Sequence, residues 1–181
     1  MQISKKLAII ATSLNAESRS QLLGQCALEA AQRLKLPVTF LDLRSFSLPF
    51  CGTAAAWADK ESARLEEALK DASHIIFASP IYNYQVNAAA KNVVELLGDD
   101  IFGGKTIAFL CAAGGKSSYM SVLSFANSLM LDFRCWILPR FVYATGEDFG
   151  DGVISNPEVR KRVEELVDDL MAHEVAPPKK K

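Results

Sequence analysis

Short runs of apolar residues alternate with amphipathic segments along the chain. The runs cover residues 7–11, 38–41, 74–78, 106–111 and 133–144. A continuous apolar run is typical of a strand buried on both faces, and strands that alternate with helices form parallel sheets. The pattern therefore predicts an α/β fold, with a five-stranded parallel sheet and helices on both faces.

The segments between the runs have helical periodicity. Helices are predicted over residues 22–34, 59–70, 86–97 and 118–131, and a last helix follows Asn156-Pro157. Asn156 fits the N-cap of that helix, with Pro157 at its first position. Pro139 interrupts the fifth run, which favours an edge strand or a bulge.

Length and charge narrow the class of protein. A chain of 181 residues with no internal repeat predicts one domain over residues 1–175, followed by a flexible tail, APPKKK, at residues 176–181. The net charge of −1 argues against a nucleic-acid-binding protein, which usually has a basic excess. It also argues against an acidic electron carrier that docks by charge.

The four cysteines are widely spaced and form no C-x-x-C pair; they are Cys26, Cys51, Cys111 and Cys135. They are expected to be buried, reduced thiols of a cytoplasmic protein. His74 and His173 lie far apart in the sequence and suggest no metal site. Neither a signal-peptide pattern nor an apolar run of about 18 residues occurs, so no membrane association is expected.

Ligands of open parallel sheets bind at the carboxyl ends of the strands, near the point where the strand order reverses. The loop after the first strand, TSLNAESRS at residues 12–20, places hydroxyl, amide and guanidinium groups before a helix N-terminus. Such a site attracts phosphate, although the sequence is neither a P-loop nor a G-x-G-x-x-G loop. The alternative is plain helix capping by Ser18 or Ser20.

The loops after the third and fourth strands suggest a planar ligand. In PIYNY, residues 80–84, Tyr82 and Tyr84 can press against a flat ring and Asn83 can bond its edge, although such tyrosines are also common in cores and interfaces. Gly114-Gly115 allows close backbone approach, or is only a flexible turn. A phosphate site, an aromatic wall and a close backbone edge together favour flavin mononucleotide (FMN).

The motifs of these loops resemble those of the NADPH-dependent FMN reductase family, which is flavodoxin-like. The family's first loop is commonly Gly-Ser-x-Arg-x-x-Ser-x-Asn, to which residues 12–20 correspond. Its second is commonly Pro-Glu-Tyr-Asn-Tyr followed by Lys-Asn, to which residues 80–84 and Lys91-Asn92 correspond. The resemblance covers about residues 7–144 and implies the strand order 2-1-3-4-5.

The resemblance also implies roles for twelve residues. Those expected at the FMN phosphate are Ser13, Asn15, Ser18, Arg19 and Ser20. Those expected along the isoalloxazine ring are Pro80, Ile81, Tyr82, Asn83, Tyr84, Gly114 and Gly115. Because the family's loop arginine is replaced by Asn15, we expect FMN to be held less tightly than is usual for the family. The other departures are Thr12 for glycine, Ser20 for asparagine and Ile81 for glutamate.

The activity implied is a ping-pong reaction with no catalytic side chain. NAD(P)H gives hydride to flavin N5 and leaves, and a quinone, free flavin or similar small acceptor then takes the electrons. The likeness favours NADPH over NADH, with Arg44, Lys116 and Arg134 as candidate cations for its 2′-phosphate.

Two other functions remain open, an FMN electron carrier that does not react with NAD(P)H and a scaffold that has lost its flavin. Relatives commonly form dimers or tetramers in which a neighbour's loop covers the flavin. The segment at residues 44–57 fits that role, through the exposed-looking Phe46, Leu48, Phe50 and Trp57, or else packs on its own domain.

Overall fold

The computed structural model describes residues 5–173, so the predicted tail at residues 176–181 lies outside the described part. The strands are β1 (Leu7–Ala11), β2 (Val38–Asp42), β3 (His74–Tyr82), β4 (Gln85–Val86), β5 (Thr106–Ala112), β6 (Trp136–Ile137), β7 (Val142–Ala144), β8 (Phe149–Gly150) and β9 (Val153–Ile154). The helices are α1 (Arg19–Arg33), α2 (Lys60–Leu69), α3 (Ala88–Phe102), α4 (Leu123–Phe133) and α5 (Pro157–Ala172).

The central sheet has the strand order β2-β1-β3-β5. Beyond β5, β6 pairs with the first residues of β5 and β7 pairs with its last residues. These pairings are parallel, which confirms the predicted flavodoxin-like order. The strand order reverses between β1 and β3, so the crevice expected of this topology lies above their carboxyl ends.

Two predictions of continuous elements were wrong. The fifth strand is not continuous over residues 133–144, because it breaks between β6 and β7, where Pro139 has no amide hydrogen for a ladder. The helix predicted over residues 118–131 instead begins as a 3-10 segment, Lys116–Val122, and becomes α-helical at Leu123. Two antiparallel hairpins, β3–β4 and β8–β9, were not predicted.

Successive residues of the strands enter opposite cores. Ile9 and Ile76 pack beneath α1 and α5, whereas Ile10 and Phe77 pack beneath α2, α3 and α4. The Phe77 ring is fully buried and stacks on Phe102 and Phe109 at centroid distances of 5.9 and 6.1 Å. This double burial explains the continuous apolar runs and completes the predicted three-layer arrangement.

Capping residues set the starts of several helices. The Asn156 side chain accepts a hydrogen bond from the Glu158 amide and Pro157 is the first residue of α5, as predicted. Asp59 caps α2 through the Ser62 amide. Among the described helices, none combines the length and apolar character that a membrane crossing requires.

Three of the cysteines, Cys26, Cys111 and Cys135, are buried free thiols. The expectation of burial was wrong for Cys51, which is exposed because the segment that carries it runs over the surface of α3. Burial raises the pKa of Cys111 to about 12, so this thiol stays protonated and unreactive at neutral pH.

Candidate functional site

A cavity of about 1280 Å³ opens at the carboxyl end of the sheet. It lies between the loops that follow β1, β3 and β5, and the β8–β9 hairpin closes a further side. Ordinary small-molecule sites measure roughly 300–1,000 Å³, so this one has room for a large planar ligand. Ten of the twelve predicted residues line it: Ser13, Asn15, Ser18, Arg19, Ser20, Pro80, Ile81, Tyr82, Asn83 and Gly114.

The first loop is shaped by side chains that bond its own backbone. Ser13 Oγ accepts from the Asn15 amide at 3.3 Å, and Asn15 Oδ1 accepts from the Glu17 amide at 3.1 Å. Ser18, rather than Ser20, is the N-cap of α1, with its Oγ 3.2 Å from the Gln21 amide and 3.0 Å from Ser20 Oγ. The first-turn amides of a helix have no partner within the helix, so the loop presents amide and hydroxyl donors to the cavity.

Thr12 forms the floor beneath this loop. Its Oγ1 is fully buried, 2.7 Å from Asn87 Oδ1 and 2.9 Å from Ser79 Oγ. Asn87 Nδ2 donates back to the Thr12 carbonyl at 2.7 Å. These bonds join the end of β1 to the start of α3, so they fix the first loop relative to the wall after β3. A glycine at position 12, as is common in the family, has no side chain with which to form them.

Arg44 belongs to the same end of the cavity, and it holds the loop in place. Its guanidinium is paired with the Asp42 carboxylate and donates to the Ala16 carbonyl at 3.1 Å. Gln21 Nε2 donates to the same carboxylate at 3.0 Å. Burial raises the pKa of Asp42, but the hydrogen bonds from Arg44 outweigh that effect and bring the pKa below its ordinary value.

Arg19, by contrast, has no carboxylate within 4.0 Å among residues 5–173. Its guanidinium lies against Gly146 and 6.0 Å from the centre of the Phe149 ring. The positive charge of Arg19 is thus available to an anion, whereas that of Arg44 is largely neutralised by Asp42. A cation thus lines the cavity next to the start of α1, whereas position 15 carries an uncharged asparagine.

The wall after β3 is a tight hairpin. Tyr82 pairs with Gln85, and the two loop residues between them, Asn83 and Tyr84, have φ values of 50° and 64°. Positive φ at both positions is a type I′ turn, which asparagine tolerates and tyrosine does not favour. Tyr82 is half exposed beside Asn83 on the cavity wall, while Tyr84 lies outside the lining.

The loop after β5 supplies the remaining edge. Gly114 lines the cavity, and a Cβ built on it would meet nothing within 4 Å, so the backbone is open to close approach there. Gly115 lies outside the lining, and its carbonyl accepts a hydrogen bond from the Tyr143 hydroxyl at 2.5 Å. Gly115 therefore anchors this loop to β7.

Sequence reasoning missed the hairpin that closes the cavity at residues 149–154. Its loop, Asp151-Gly152, has φ values of 50° and 74°, again a type I′ turn. Asp-Gly between short apolar stretches is a strong hairpin signal, so the sequence contained the means to find it. Gln21 and Arg44 were missed as loop supports because their partner, Asp42, is at the end of another strand.

The segment at residues 44–57 was expected either to cover the flavin of a neighbouring chain or to pack on its own domain. In the structure, some of its side chains are packed and others are exposed. Phe46 and Leu48 pack against the core, and Asn92 clamps the chain through the Pro49 carbonyl and the Cys51 amide, each at 2.9 Å. Two other side chains remain largely exposed, Phe50 at 72% and Trp57 at 85%. The first half of the segment is thus fixed on its own domain.

Of the three candidate cations for a 2′-phosphate, two are paired and one is remote. Arg44 is bound by Asp42, and Lys116 pairs with Glu147 at 3.1 Å on the exposed surface. Arg134 ends α4 and precedes β6, which places it at the amino end of the sheet.

A sequence model of the NADPH-dependent FMN reductase family matches residues 5–150. An NAD(P)H-dependent FAD/FMN reductase of Geobacillus thermodenitrificans is 24% identical over 153 residues, 82% of this chain and 83% of that protein. An NADPH azoreductase of Bacillus sp. (strain OY1-2) is 23% identical over 133 residues, 73% and 74% of the two chains.

Solved structures show the same fold. The apo form of the NADH:FMN oxidoreductase EMOB superposes with a TM-score of 0.78 at 14% identity, covering 96% of this chain and 92% of that one. An FMN-dependent NADH-azoreductase from Bacillus anthracis, in complex with FMN, gives 0.68 at 15% identity, covering 92% and 99%.

The chain belongs to the NADPH-dependent FMN reductase family. It is therefore an oxidoreductase with FMN as cofactor and NAD(P)H as electron donor. The cavity fits the cofactor, because Arg19, which has no carboxylate partner among residues 5–173, lies at one end with the first-turn amides of α1, and the open backbone of Gly114 lies at the other.

Proposed function

We propose that the protein is an NAD(P)H-dependent FMN reductase that passes electrons from the nicotinamide to a quinone, a free flavin or a similar small acceptor. The observation that carries this proposal is the cavity itself, in which serine hydroxyls, Arg19 and Gly114 lie together at the switch point of the sheet. Azo dyes are acceptors of the same kind, and one relative is an NADPH azoreductase.

The phosphate of FMN would be held at the start of α1. We assign to it Ser13, Ser18 and Ser20 with the first-turn amides of the helix, and Arg19 as the cation, with Asn15 shaping the loop. Charge-assisted bonds to a guanidinium contribute roughly 1.5–3 kcal/mol. Since Arg44 is paired with Asp42, Arg19 is the cation of this set without a carboxylate partner among residues 5–173, which supports weak retention of FMN.

The ring would lie between the walls after β3 and β5. Pro80, Ile81, Tyr82 and Asn83 border one side and Gly114 the other, while Tyr84 and Gly115 shape the turns behind them. When bound, FMN supplies the hydride-accepting and electron-donating chemistry, and the side chains need only bind and orient it. The amide groups near Gly114 would favour negative charge at the pyrimidine edge of the ring.

We expect an exchange in which NAD(P)H and the acceptor bind in turn. If the loops after β1, β3 and β5 cover one face of the ring, both substrates must approach from the other face. Steady-state rates of NADPH oxidation, measured at several quinone concentrations, should give parallel double-reciprocal lines. Intersecting lines would require a ternary complex and would contradict the exchange.

The alternative function is an FMN electron carrier without NAD(P)H activity. The net charge of −1 disfavours it, since carriers that dock by charge are strongly acidic, and an NADPH oxidation assay with FMN-loaded protein decides between the two. NADPH is our expected donor from the family description, and parallel assays with NADH measure the preference.

We also infer a homodimer or homotetramer, because Phe50 and Trp57 expose large apolar side chains on one surface segment. Light scattering should give a mass above that of the 19.8 kDa chain, and Trp57→Ala should shift it toward the monomer. A monomeric wild-type protein would refute this. The buried free thiols support a reducing, cytoplasmic location, testable by fractionation.

A further inference from the structure

The cavity continues past the first turn of α1. Arg19, Leu22 and Gln25 follow one another at intervals of three residues, so they form a row on one face of the helix, and all three line the cavity. Residues 149–152 of the β8–β9 hairpin line it opposite this row. We call this part, between the α1 row and the hairpin, the side lobe.

The side lobe combines four kinds of group. Arg19 provides a cation without a carboxylate partner among the described residues, and Phe149 and Leu22 provide half-buried apolar surface. Gln25 presents an exposed amide, and Asp151 presents an exposed carboxylate at the hairpin tip. None of these groups except Arg19 is needed for the FMN site assigned above.

We propose that the side lobe binds the adenosine 5′-phosphate part of a dinucleotide. Arg19 would bond the phosphate, and Phe149 with Leu22 would contact the faces of the adenine. The Gln25 amide can donate and accept at the adenine edge, a pairing that glutamine forms with adenine N6 and N7 elsewhere. Asp151 is suited to accept hydrogen bonds from the ribose hydroxyls.

The inference rests on the proposed function, because the side lobe begins where the FMN phosphate is placed. A ligand that continues beyond that phosphate reaches the lobe directly, as the adenylate half of FAD does. The adenylate half of the nicotinamide donor has the same chemistry and can enter from the open side. FAD and the nicotinamide donor would therefore be recognised through the same adenylate group, and they differ in the rest of the molecule.

The direct test is calorimetric titration of the protein with 5′-AMP, with and without saturating FMN. We expect 5′-AMP to bind, and Gln25→Ala to weaken it by roughly three- to tenfold through the lost hydrogen bonds. Phe149→Leu, which keeps apolar packing but removes the flat ring, should weaken it by about fivefold or more. Gln32→Ala is the matched control, because Gln32 is also exposed on α1 but outside the cavity lining, and should leave binding unchanged.

Two further measurements identify the source of the adenylate. If it is FAD, wild-type protein binds FAD more tightly than FMN, and Gln25→Ala removes that advantage while FMN affinity stays the same. If it is the nicotinamide donor, Gln25→Ala raises the KM for NADH several-fold, and reduced nicotinamide mononucleotide, which lacks adenylate, reacts equally with both proteins.

Absence of 5′-AMP binding in both titrations would overturn the inference, as would binding that ignores Gln25→Ala and Phe149→Leu alike. Such a result with normal FMN uptake and NADPH oxidation would leave the proposed function intact. Failure of FMN uptake would count against the proposed function, and the titration without FMN would still decide on the side lobe.

Discussion

The two ends of the parallel sheet differ in how their polar groups are used. At the amino end, polar groups bond one another across short connections: Lys105 Nζ donates to the Leu69 carbonyl at 2.8 Å, and the Lys6 carbonyl accepts from the Ser73 and His74 amides. At the carboxyl end, hydroxyls, amides and Arg19 face a cavity. The same strands thus support stability at one end and leave donors for a ligand at the other.

Lys105 shows how closed the amino end is. Burial lowers the pKa of its ammonium to about 8, with the nearby Asp71 opposing that change. A lysine so placed is held by backbone carbonyls at the end of α2 and has no access to the cavity. The lowered pKa of Lys105 is therefore a consequence of burial at the amino end of the sheet and does not mark the functional site.

The largest contrast is expected from one substitution made at each end. Thr12→Val removes the bonds to Asn87 and Ser79 at the carboxyl end and should cost about 1–3 kcal/mol in the free energy of unfolding, together with a loss of FMN affinity. Thr106→Val at the amino end removes a buried hydroxyl that has no partner among residues 5–173, so it should be neutral or stabilising. Urea denaturation and FMN titration of both variants measure this, and equal effects would refute the contrast.

A second prediction restores the family's arginine to the first loop. Asn15→Arg should tighten FMN binding about tenfold, which is less than a full charge-assisted bond because the Asn15 bond to the Glu17 amide is lost. Flavin fluorescence quenching measures the affinity. Gln32→Arg adds the same charge farther along α1 and should change little, and equal affinities for wild type and Asn15→Arg would show that position 15 lies away from the phosphate.

The third prediction concerns pH and the amino end. Burial lowers the pKa of His74 below 6.5, although its bond to the His173 carbonyl opposes this. Below pH 6.5 the unfolded chain therefore binds a proton that the folded protein does not, so acid favours unfolding by up to about 1.4 kcal/mol per pH unit.

Thermal unfolding between pH 7 and pH 5 should show this loss of stability, and His74→Gln should reduce its slope. FMN affinity should keep the same pH dependence in both proteins, because His74 lies at the end away from the cavity. If stability fell equally steeply with pH in wild type and His74→Gln, groups other than His74 would be responsible for the loss.

The smallest effect is expected at the hairpin after β3. Tyr84→Gly relieves a left-handed tyrosine and should raise the free energy of unfolding by about 1 kcal/mol, with FMN affinity unchanged because Tyr84 lies outside the lining. Tyr82→Ala is its counterpart on the cavity wall and should weaken FMN binding. Loss of FMN affinity in Tyr84→Gly would instead show that Tyr84 belongs to the FMN site.

Much of the fold follows from local sequence signals. Burial of both faces makes the strand runs continuous, and Asn156-Pro157 marks the start of α5. Pro139 indicated an edge strand or a bulge but not that the fifth strand would divide in two, since that depends on which half of β5 each part joins. The 3-10 course of Lys116–Val122 was also hidden, because its composition is compatible with an α-helix.

Those parts of the candidate site whose residues are adjacent in the chain could be predicted from the sequence. The loops at residues 12–20 and 80–84 could be read directly, whereas the support of one loop by Asn87 and by the Arg44–Asp42 pair spans tens of residues. The closing hairpin carried a local Asp-Gly signal, but its position over α1 is set by tertiary packing.

The most direct test of the central claim is an absorbance spectrum of the purified protein, incubated with FMN, desalted and then mixed with NADPH without oxygen. The account predicts retained flavin bands that bleach promptly on addition of NADPH. Retained bands that persist with both NADPH and NADH would contradict the reductase function and favour an electron carrier. Absence of FMN binding during incubation with a large FMN excess, before desalting, would contradict the cofactor site itself, whereas loss of flavin on desalting alone would reflect the altered first loop.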